Sequence, residues 1–401
     1  MEPRGIGRRR LLGHVGSAVA GAALAAPATA ALLGSDAESS SAAPGPTASP
    51  ALISPYGDHQ PGVAAPPPAA STIVALDLLD DVDRAAVVRL LKVWTTDVVA
   101  LAEGRAVPGD PARDLADAAR LTVTVGFGPR PVRRLALDVP ELVAVPAMRH
   151  DRLEPRWCGG DLVLVVGGDD ATSVAHAVRT LVRDARPFAR LRWQQSGSWR
   201  GTDGIGRRVT GRNLFAQVDG SANPSPGTPL FDRTVWIQRG PWTGGTTLVV
   251  RRIRMDLDAW ERLTREEMEA SIGRDLATGA PLTGGDERTD LDPAATEGGR
   301  HVIARDAHAL RAHPTLNGGA RIHRHGANWS ETVTDARGTR VESGLLFSSY
   351  QAHVERQFTR IQHRLDESDA LNEWTTAIGS AEFAILPGFA EGGWLGESVL
   401  A

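Results

Sequence analysis

The chain has 401 residues, enough for two or three domains of average size or for one large unit. Its formal charge of −4 gives no electrostatic reason to expect nucleic acid as a partner. Because Cys158 is the single cysteine, folding cannot depend on an internal disulfide in any compartment.

The first 30 residues have the pattern of an export signal. Arg8-Arg9-Arg10 precedes a weakly apolar stretch that contains Ala28-Thr29-Ala30, a small-residue pattern typical of a cleavage site. Tandem arginines before such a stretch indicate the twin-arginine route. Gly, Ala, Ser and Pro interrupt the apolar run, which favours a removed signal over a retained anchor or a disordered basic tail. We therefore expect an extracellular or cell-envelope protein with no stable membrane span after signal removal.

Residues 31–70 are rich in Ala, Pro and Ser and are interpreted as a flexible linker. The predicted N-terminal half of the folded part, residues 71–205, follows. Its apolar periodicity predicts strands and helices in the order strand, helix, strand, strand, helix, strand, at 71–79, 85–101, 121–129, 161–166, 173–182 and 190–195. This order is that of a split βαβ unit, in which helices back an antiparallel sheet.

The predicted C-terminal half, residues 206–401, repeats that order. Strands are predicted at 236–238, 246–255, 344–350 and 381–388, with helices at 257–263 and 354–365. The acidic stretch after Gly285 lacks the spacing of a calcium loop and is interpreted as a surface loop. Two halves of matching order predict a structural duplication and an α+β fold.

Three short segments of this half contain an acid, a histidine and an arginine. Asp219 lies in Ala216–Pro224, His308 follows Ala307, and Arg324 lies in Ile322–Gly326. Separately, each has an ordinary explanation, such as a turn for Asp-Gly or a surface position for a histidine. Together they are the set that peroxide chemistry on an iron porphyrin requires: an iron ligand, a carboxylate that moves a proton, and a permanently charged donor.

These segments resemble the dye-decolorising peroxidases, specifically the exported subgroup that includes the deferrochelatase-like proteins. The resemblance extends over Val250–Leu257, Gly279–Leu282, Gly344–Phe347 and Glu355–Phe358, nearly the whole chain beyond the linker. It implies tandem ferredoxin-like halves with heme b in the second. It also implies an enzyme that reduces H2O2 through a ferryl intermediate and oxidises bulky dye-like or phenolic donors.

The resemblance also implies site residues. His308 would be the iron ligand, Asp219 the acid–base and Arg324 the stabiliser of the leaving oxygen. The residues expected to contact the heme are His308, Gly220, Ser221, Leu345 and Phe347. A carboxylate has a reference pKa of about 4, against about 6.5 for histidine, so activity should extend to low pH.

The sequence departs from the family pattern at three positions. Ala216 stands where the family's G-x-x-D-G begins with glycine, and Ser221 stands in place of threonine in D-G-T. An arginine usual two residues after the ligand is replaced by Leu310, which leaves any role of Arg311 at a heme propionate open. Ala216 would disturb the loop if that position requires a positive φ.

Several site assignments stay open at this level. His313 is a second candidate ligand, and the acid that supports His308 is one of Asp366, Asp369 and Glu373. His323 and His325 share a strand face and form a rival zinc pair.

Two other function classes also stay open: a heme-handling or iron-acquisition protein with little turnover, and a porphyrin-free cargo or scaffold protein. The natural donor, a homo-oligomeric state and any Trp or Tyr that relays electrons are not specified by the sequence.

Overall fold

The computed structural model describes residues 52–203, 205, 207–336 and 338–401. The predicted signal and the first part of the predicted linker lie outside these ranges. Within them, no helix combines the length and apolar character needed to cross a bilayer.

The N-terminal half contains one antiparallel sheet, and its two long helices cover one face of that sheet. Its elements are α1 (Pro61–Ala64), β1 (Ala70–Leu78), α2 (Arg84–Ala102), β2 (Thr122–Phe127), α3 (Pro129–Arg134), β3 (Leu162–Gly168), α4 (Ala171–Ala185) and β4 (Ala189–Ser198). The strand order across the sheet is β4-β1-β3-β2. This is the split βαβ arrangement predicted from the apolar periodicity.

The C-terminal half repeats this arrangement with longer connections. Its elements are α5 (Pro229–Val235), β5 (Thr246–Met255), α6 (Leu257–Trp260), α7 (Arg265–Ile272), β6 (Thr296–Glu297), β7 (Arg300–His301), α8 (His308–Arg311), β8 (His323–Asp335), β9 (Gly338–Gln351), a π-helical turn (Glu355–Thr359), α9 (Arg360–Glu367), β10 (Thr375–Ile385) and α10 (Glu397–Leu400). β6 and β7 form a separate small sheet, and the main sheet has the order β10-β5-β9-β8. Counted along the chain, these are its fourth, first, third and second strands, which is also the order in the N-terminal half. The predicted duplication is therefore confirmed.

The two sheets join edge to edge and close an eight-stranded barrel. One seam pairs β2 with β10 through Phe127↔Ala384 and Gly126↔Ile385. The other seam pairs β4 with β8 through Ser198↔Asn328. Apolar side chains of both halves fill the interior, among them Ile73, Trp193, Phe231, Tyr350 and Phe383.

Helices of the first half explain its continuous apolar strands. The interior of β1 is buried on both faces, because one face lines the barrel and the other packs under α2 and α4. Each helix starts at an aspartate whose side chain accepts a main-chain hydrogen bond: Asp83 from Ala86 at 2.7 Å and Asp170 from Ser173 at 2.8 Å. This side of the sheet is filled, so the site lies elsewhere.

Two sequence predictions need correction. The linker prediction for residues 31–70 is wrong in its C-terminal part, because Gln60 is buried and bonds the main chain of Val125 and Leu386. His59 also stacks on Trp236 with 3.8 Å between ring centroids. A few anchoring side chains thus outweigh a composition rich in Ala and Pro. The segment predicted as a strand at 236–238 is irregular chain after α5, since two apolar residues, Trp236 and Ile237, are too few to specify a strand.

Candidate active site

A cavity of about 280 Å³ lies on the outer face of the second sheet. Its floor is formed by alternate residues of β5 and β9, namely Arg251, Ile253, Leu345 and Phe347. On the opposite face of these strands, Val250 and Leu346 point into the barrel. Its walls come from α8, α9 and the loop between β4 and α5. The second half therefore provides the room that the first half lacks.

His308 is the first residue of α8 and lines this cavity. Its Nδ1 donates a hydrogen bond of 2.7 Å to Oδ2 of Asp369, whose side chain is 5% exposed. Burial acts to lower the pKa of His308, but the charge and hydrogen bond of Asp369 outweigh it, and the pKa is raised. Within the described ranges Nε2 makes no hydrogen bond, so a strongly basic nitrogen is free for a metal.

The structure identifies which of the three candidate acids supports His308. Asp369 does so, and its other oxygen accepts from Leu371 at 3.0 Å at the start of a short helical turn. Asp366 instead accepts from the main-chain nitrogens of Arg149 and His150 at 3.0 and 3.1 Å. Glu373 is exposed at the end of the turn.

Asp219 and Arg324 form the second part of the site. Nη1 of Arg324 donates to Oδ1 of Asp219 at 2.8 Å, and both side chains line the cavity. Arg324 is the second residue of β8, whereas His323 before it packs against Phe231 inside the barrel at 5.0 Å. The predicted opposite orientation of Arg324 and His323 is confirmed.

The loop that carries Asp219 is held by its own side chains. Oδ1 of Asn213 accepts from Phe215 at 3.0 Å, and its Nδ2 lies 3.4 Å from Oδ2 of Asp219. Ala216 adopts φ +63°, the left-handed region that glycine occupies without cost. The position does require a positive φ, so the alanine adds strain without unfolding the loop.

All seven residues predicted for the site meet at this cavity. Besides His308, Asp219 and Arg324, its lining includes Gly220, Ser221, Leu345 and Phe347. Oγ of Ser221 is buried and has no hydrogen-bond partner in the described part of the chain. Their roles toward a cofactor stay predictions, but their convergence is a structural fact.

Sequence reasoning missed three further polar groups at the site. Arg251 pairs with Asp151, and both line the cavity. Arg274 lines it too and donates to the carbonyls of Gly279 and Glu287 at 2.8 and 3.1 Å. Burial lowers the pKa of Arg274. Arg251 and Arg274 lay within or beside the segments that carried the family resemblance.

The rival ligands are otherwise engaged. Nε2 of His313 contacts Oδ1 of Asp290 at 2.9 Å, and its Nδ1 accepts from Thr315 at 3.3 Å. The Nε2 atoms of His323 and His325 lie 3.1 Å apart, and no three metal-ligating side chains cluster anywhere in the residues described. Arg311 donates to the carbonyl of Arg364 and to Glu367.

The donor set fits an iron porphyrin. A single free imidazole nitrogen, backed by a carboxylate, is the usual protein ligand of peroxidase heme. The apolar walls suit a flat aromatic group, and they include Ile253, Met255, Ile272, Phe358, Ile361 and Leu365. The unpartnered Oγ of Ser221 leaves a polar atom for the cofactor or its ligand.

Sequence comparison decides the family. The model of the Dyp-type peroxidase N-terminal domain matches residues 60–199, and that of the C-terminal domain matches residues 210–390. The chain belongs to the Dyp-type peroxidase family. This Dyp-type peroxidase is accordingly a heme-dependent oxidoreductase with tandem ferredoxin-like halves.

Curated relatives of this Dyp-type peroxidase include two kinds of protein. It is 38% identical over 369 residues to a dye-decolorizing peroxidase of Thermobifida fusca, covering 85% of this chain and 83% of the relative. It is 32% identical over 359 residues to a deferrochelatase of Escherichia coli K12, covering 83% of each.

Solved structures of related Dyp-type peroxidases share the fold over most of their length. A DyP-type peroxidase from Cellulomonas bogoriensis has 43% identity and a TM-score of 0.81, covering 87% of this chain and 98% of that one. An oxyferrous complex of DtpA from Streptomyces lividans has 37% identity and a TM-score of 0.83, covering 88% and 98%.

Proposed function

We propose that His308 binds the heme iron of this peroxidase, that Asp219 and Arg324 act on H2O2, and that bulky dye-like or phenolic compounds are the donors. One observation carries the proposal. The free nitrogen of His308, backed by Asp369, and the Asp219–Arg324 ion pair line the same cavity.

Bound heme would supply an iron that takes two oxidising equivalents from peroxide and passes them singly to donors. Oδ1 of Asp219 is held by Arg324, so its Oδ2 is the oxygen placed to exchange a proton. This oxygen takes the proton from one peroxide oxygen and returns it to the other, which leaves as water. The guanidinium of Arg324 stabilises the negative charge that develops on the departing oxygen.

The ligand assignment is tested by His308→Ala. We expect the variant, expressed with ample heme, to lose the Soret band together with activity. Of the described histidines that line the cavity, only His308 is backed by a buried carboxylate, whereas His313 pairs with Asp290 and His150 is exposed. His363→Ala removes an exposed histidine of α9 and serves as the control. Native heme content and turnover in His308→Ala would show that another residue binds the iron.

The roles of the ion pair are tested by Asp219→Asn and Arg324→Leu. Both variants should keep heme, and stopped-flow mixing with H2O2 should show reaction slowed by about 10²- to 10³-fold. Asp292→Asn, on an exposed loop, is the matched carboxylate control. Traces like those of the wild type would remove the two residues from the peroxide step.

The similarity to deferrochelatases favours one second candidate, a protein that handles heme iron with little peroxidase turnover. Steady-state oxidation of a phenolic donor by heme-reconstituted protein separates the two functions. We expect sustained donor oxidation. Release of iron-free porphyrin without donor oxidation would favour the second candidate.

Export by the twin-arginine route is part of the proposal, supported by the arginines and small apolar residues of the first 30 positions. Replacing Arg8, Arg9 and Arg10 with lysine should leave the protein in the cytoplasm. Cell fractionation followed by heme spectroscopy measures this. Unchanged export would contradict the assigned route.

A further inference from the structure

We propose that Asn223 is a positioning residue that fixes the main chain of Arg324, and thereby the direction from which the guanidinium meets Asp219. The proposal rests on the role proposed above for Arg324. It concerns a residue that is not part of the acid–arginine pair and that acts only through its neighbour.

The side-chain amide of Asn223 makes two hydrogen bonds to one residue. Its Nδ2 donates to the carbonyl oxygen of Arg324 at 2.8 Å, and its Oδ1 accepts from the nitrogen of Arg324 at 3.1 Å. On its other side β8 pairs with β9, where Arg324 lies opposite Ser349. Asn223 therefore pairs with the open edge of β8 as a residue of a neighbouring strand would.

Among the residues that the structure describes, no other strand pairs with this edge of β8 around Arg324. The pairing of β8 with β4 is confined to Asn328 and Ser198, four residues further along. Without the amide, the two main-chain groups of Arg324 that face away from β9 would lose their protein partner. The first residues of β8 would then be held by β9 alone and could fray. The amide thus determines where the Cα atom of Arg324 lies.

Asparagine suits this position for a chemical reason. A carboxamide presents one acceptor and a donor side by side, as a peptide group does, whereas a carboxylate offers only acceptors. Asn223 is itself held by its nitrogen, which donates to the carbonyl of Gly220 at 3.0 Å, and it precedes Pro224, which restricts its backbone. The clamp is therefore rigid on the loop side as well.

The clamp ties the loop of Asp219 to the strand of Arg324 at a second point. The ion pair alone joins side chains that are 16% and 26% exposed, and a long arginine side chain retains other conformations. With the main chain fixed, the guanidinium reaches Oδ1 of Asp219 from one direction and leaves Oδ2 for proton exchange. Asn223 therefore sets the geometry of the pair without touching the reacting atoms.

The first test is Asn223→Ala in the full-length protein loaded with heme. Heme content and the resting spectrum should be those of the wild type, while the rate constant for reaction with H2O2 falls by about 10- to 100-fold. Asn328→Ala is the matched control, because it removes an amide that donates from the same strand to the carbonyl of Arg212 at 2.9 Å. An equal loss of rate in both variants would show a general structural effect and overturn the proposal.

A double-mutant cycle isolates the route of action. In the Arg324→Leu background, Asn223→Ala should change the rate less than twofold, because its effect passes through the arginine. The full loss in that background overturns the proposal, as does a wild-type rate in Asn223→Ala. If Arg324→Leu alone leaves the rate unchanged, the function proposed for the pair fails instead.

Asn223→Asp provides a conservative variant with a pH signature. As a carboxylate it keeps the acceptor for the nitrogen of Arg324 and loses the donor, so the rate should fall. As a protonated acid it regains a donor, so its rate relative to the wild type should rise when the pH is lowered. A ratio that does not change with pH would overturn the clamp.

Discussion

The histidine pair of β8 predicts in which pH range this protein loses stability in acid. His323 and His325 lie with their Nε2 atoms 3.1 Å apart inside the barrel wall. Burial lowers the pKa of His325 to about 4, and burial together with the neighbouring His325 lowers that of His323 to about 2. Both values lie below the 6.5 expected of the unfolded chain. The unfolded state therefore binds more protons than the folded state below pH 6.5.

The sign and size of the effect follow from linkage. Stability is fully present above pH 6.5 and is lost as the pH falls, with the contribution of His325 lost by about pH 4. A difference of 2.5 pKa units, from 6.5 to about 4, corresponds to at most about 3 kcal/mol, because one unit is worth about 1.4 kcal/mol and His325 is only part-buried. His323 adds to this loss at lower pH.

Urea unfolding at pH 7, 6, 5 and 4 measures the effect. Glutamine is not protonated in this range. The free energy of unfolding of His325→Gln, relative to that of the wild type, should therefore rise by up to about 3 kcal/mol between pH 7 and pH 4. His363→Gln controls for the loss of an exposed histidine. A difference between wild type and His325→Gln that stays constant over this range would refute the reasoning.

Two further predictions concern the ligand and the loop. Asp369→Asn replaces the charged acceptor of His308 with a neutral one, so the imidazole should donate less electron density to iron. The Fe(III)/Fe(II) potential should therefore rise in a spectroelectrochemical titration. An unchanged potential would contradict the role of Asp369. Ala216→Gly removes the left-handed strain at φ +63°, so the free energy of unfolding in urea should stay equal or rise by about 1 kcal/mol. Ala216→Val should lower this free energy. Destabilisation by glycine would contradict the presence of strain at this position.

The sequence predicted those features that depend on local patterns. Strands β1 and β3 were found because they are covered on both faces and are therefore continuous apolar runs. The hairpin of β8 and β9 was predicted only in part, since its outer end is exposed and polar. Local pattern carries no signal for a strand that gains its stability from pairing alone.

Features that depend on distant contacts could not be predicted. Asp366, Asp369 and Glu373 are equivalent in sequence, and only the end of α9 and the turn after it bring Asp369 to His308. The role of Asn223 depends on Arg324, which is 101 positions away. Both contacts join segments that are far apart in the chain, His308 to Asp369 and Asn223 to Arg324, and no short segment encodes such a contact.

The same strand order occurs in both halves, yet only the second contains the cavity, and the connections explain why. After β1 the chain forms one long helix, α2, whose apolar face, with Trp94 at its centre, packs onto the sheet. After β5, residues 256–322 form the short helices α6, α7 and α8 and the small hairpin of β6 and β7, with loops between them. These pieces leave Ile253, Leu345 and Phe347 facing the cavity. Apolar area left uncovered forgoes about 25 cal/mol for each Å², which a flat apolar cofactor recovers when it binds. The broken connection is therefore what gives the second half of a duplicated fold its cavity.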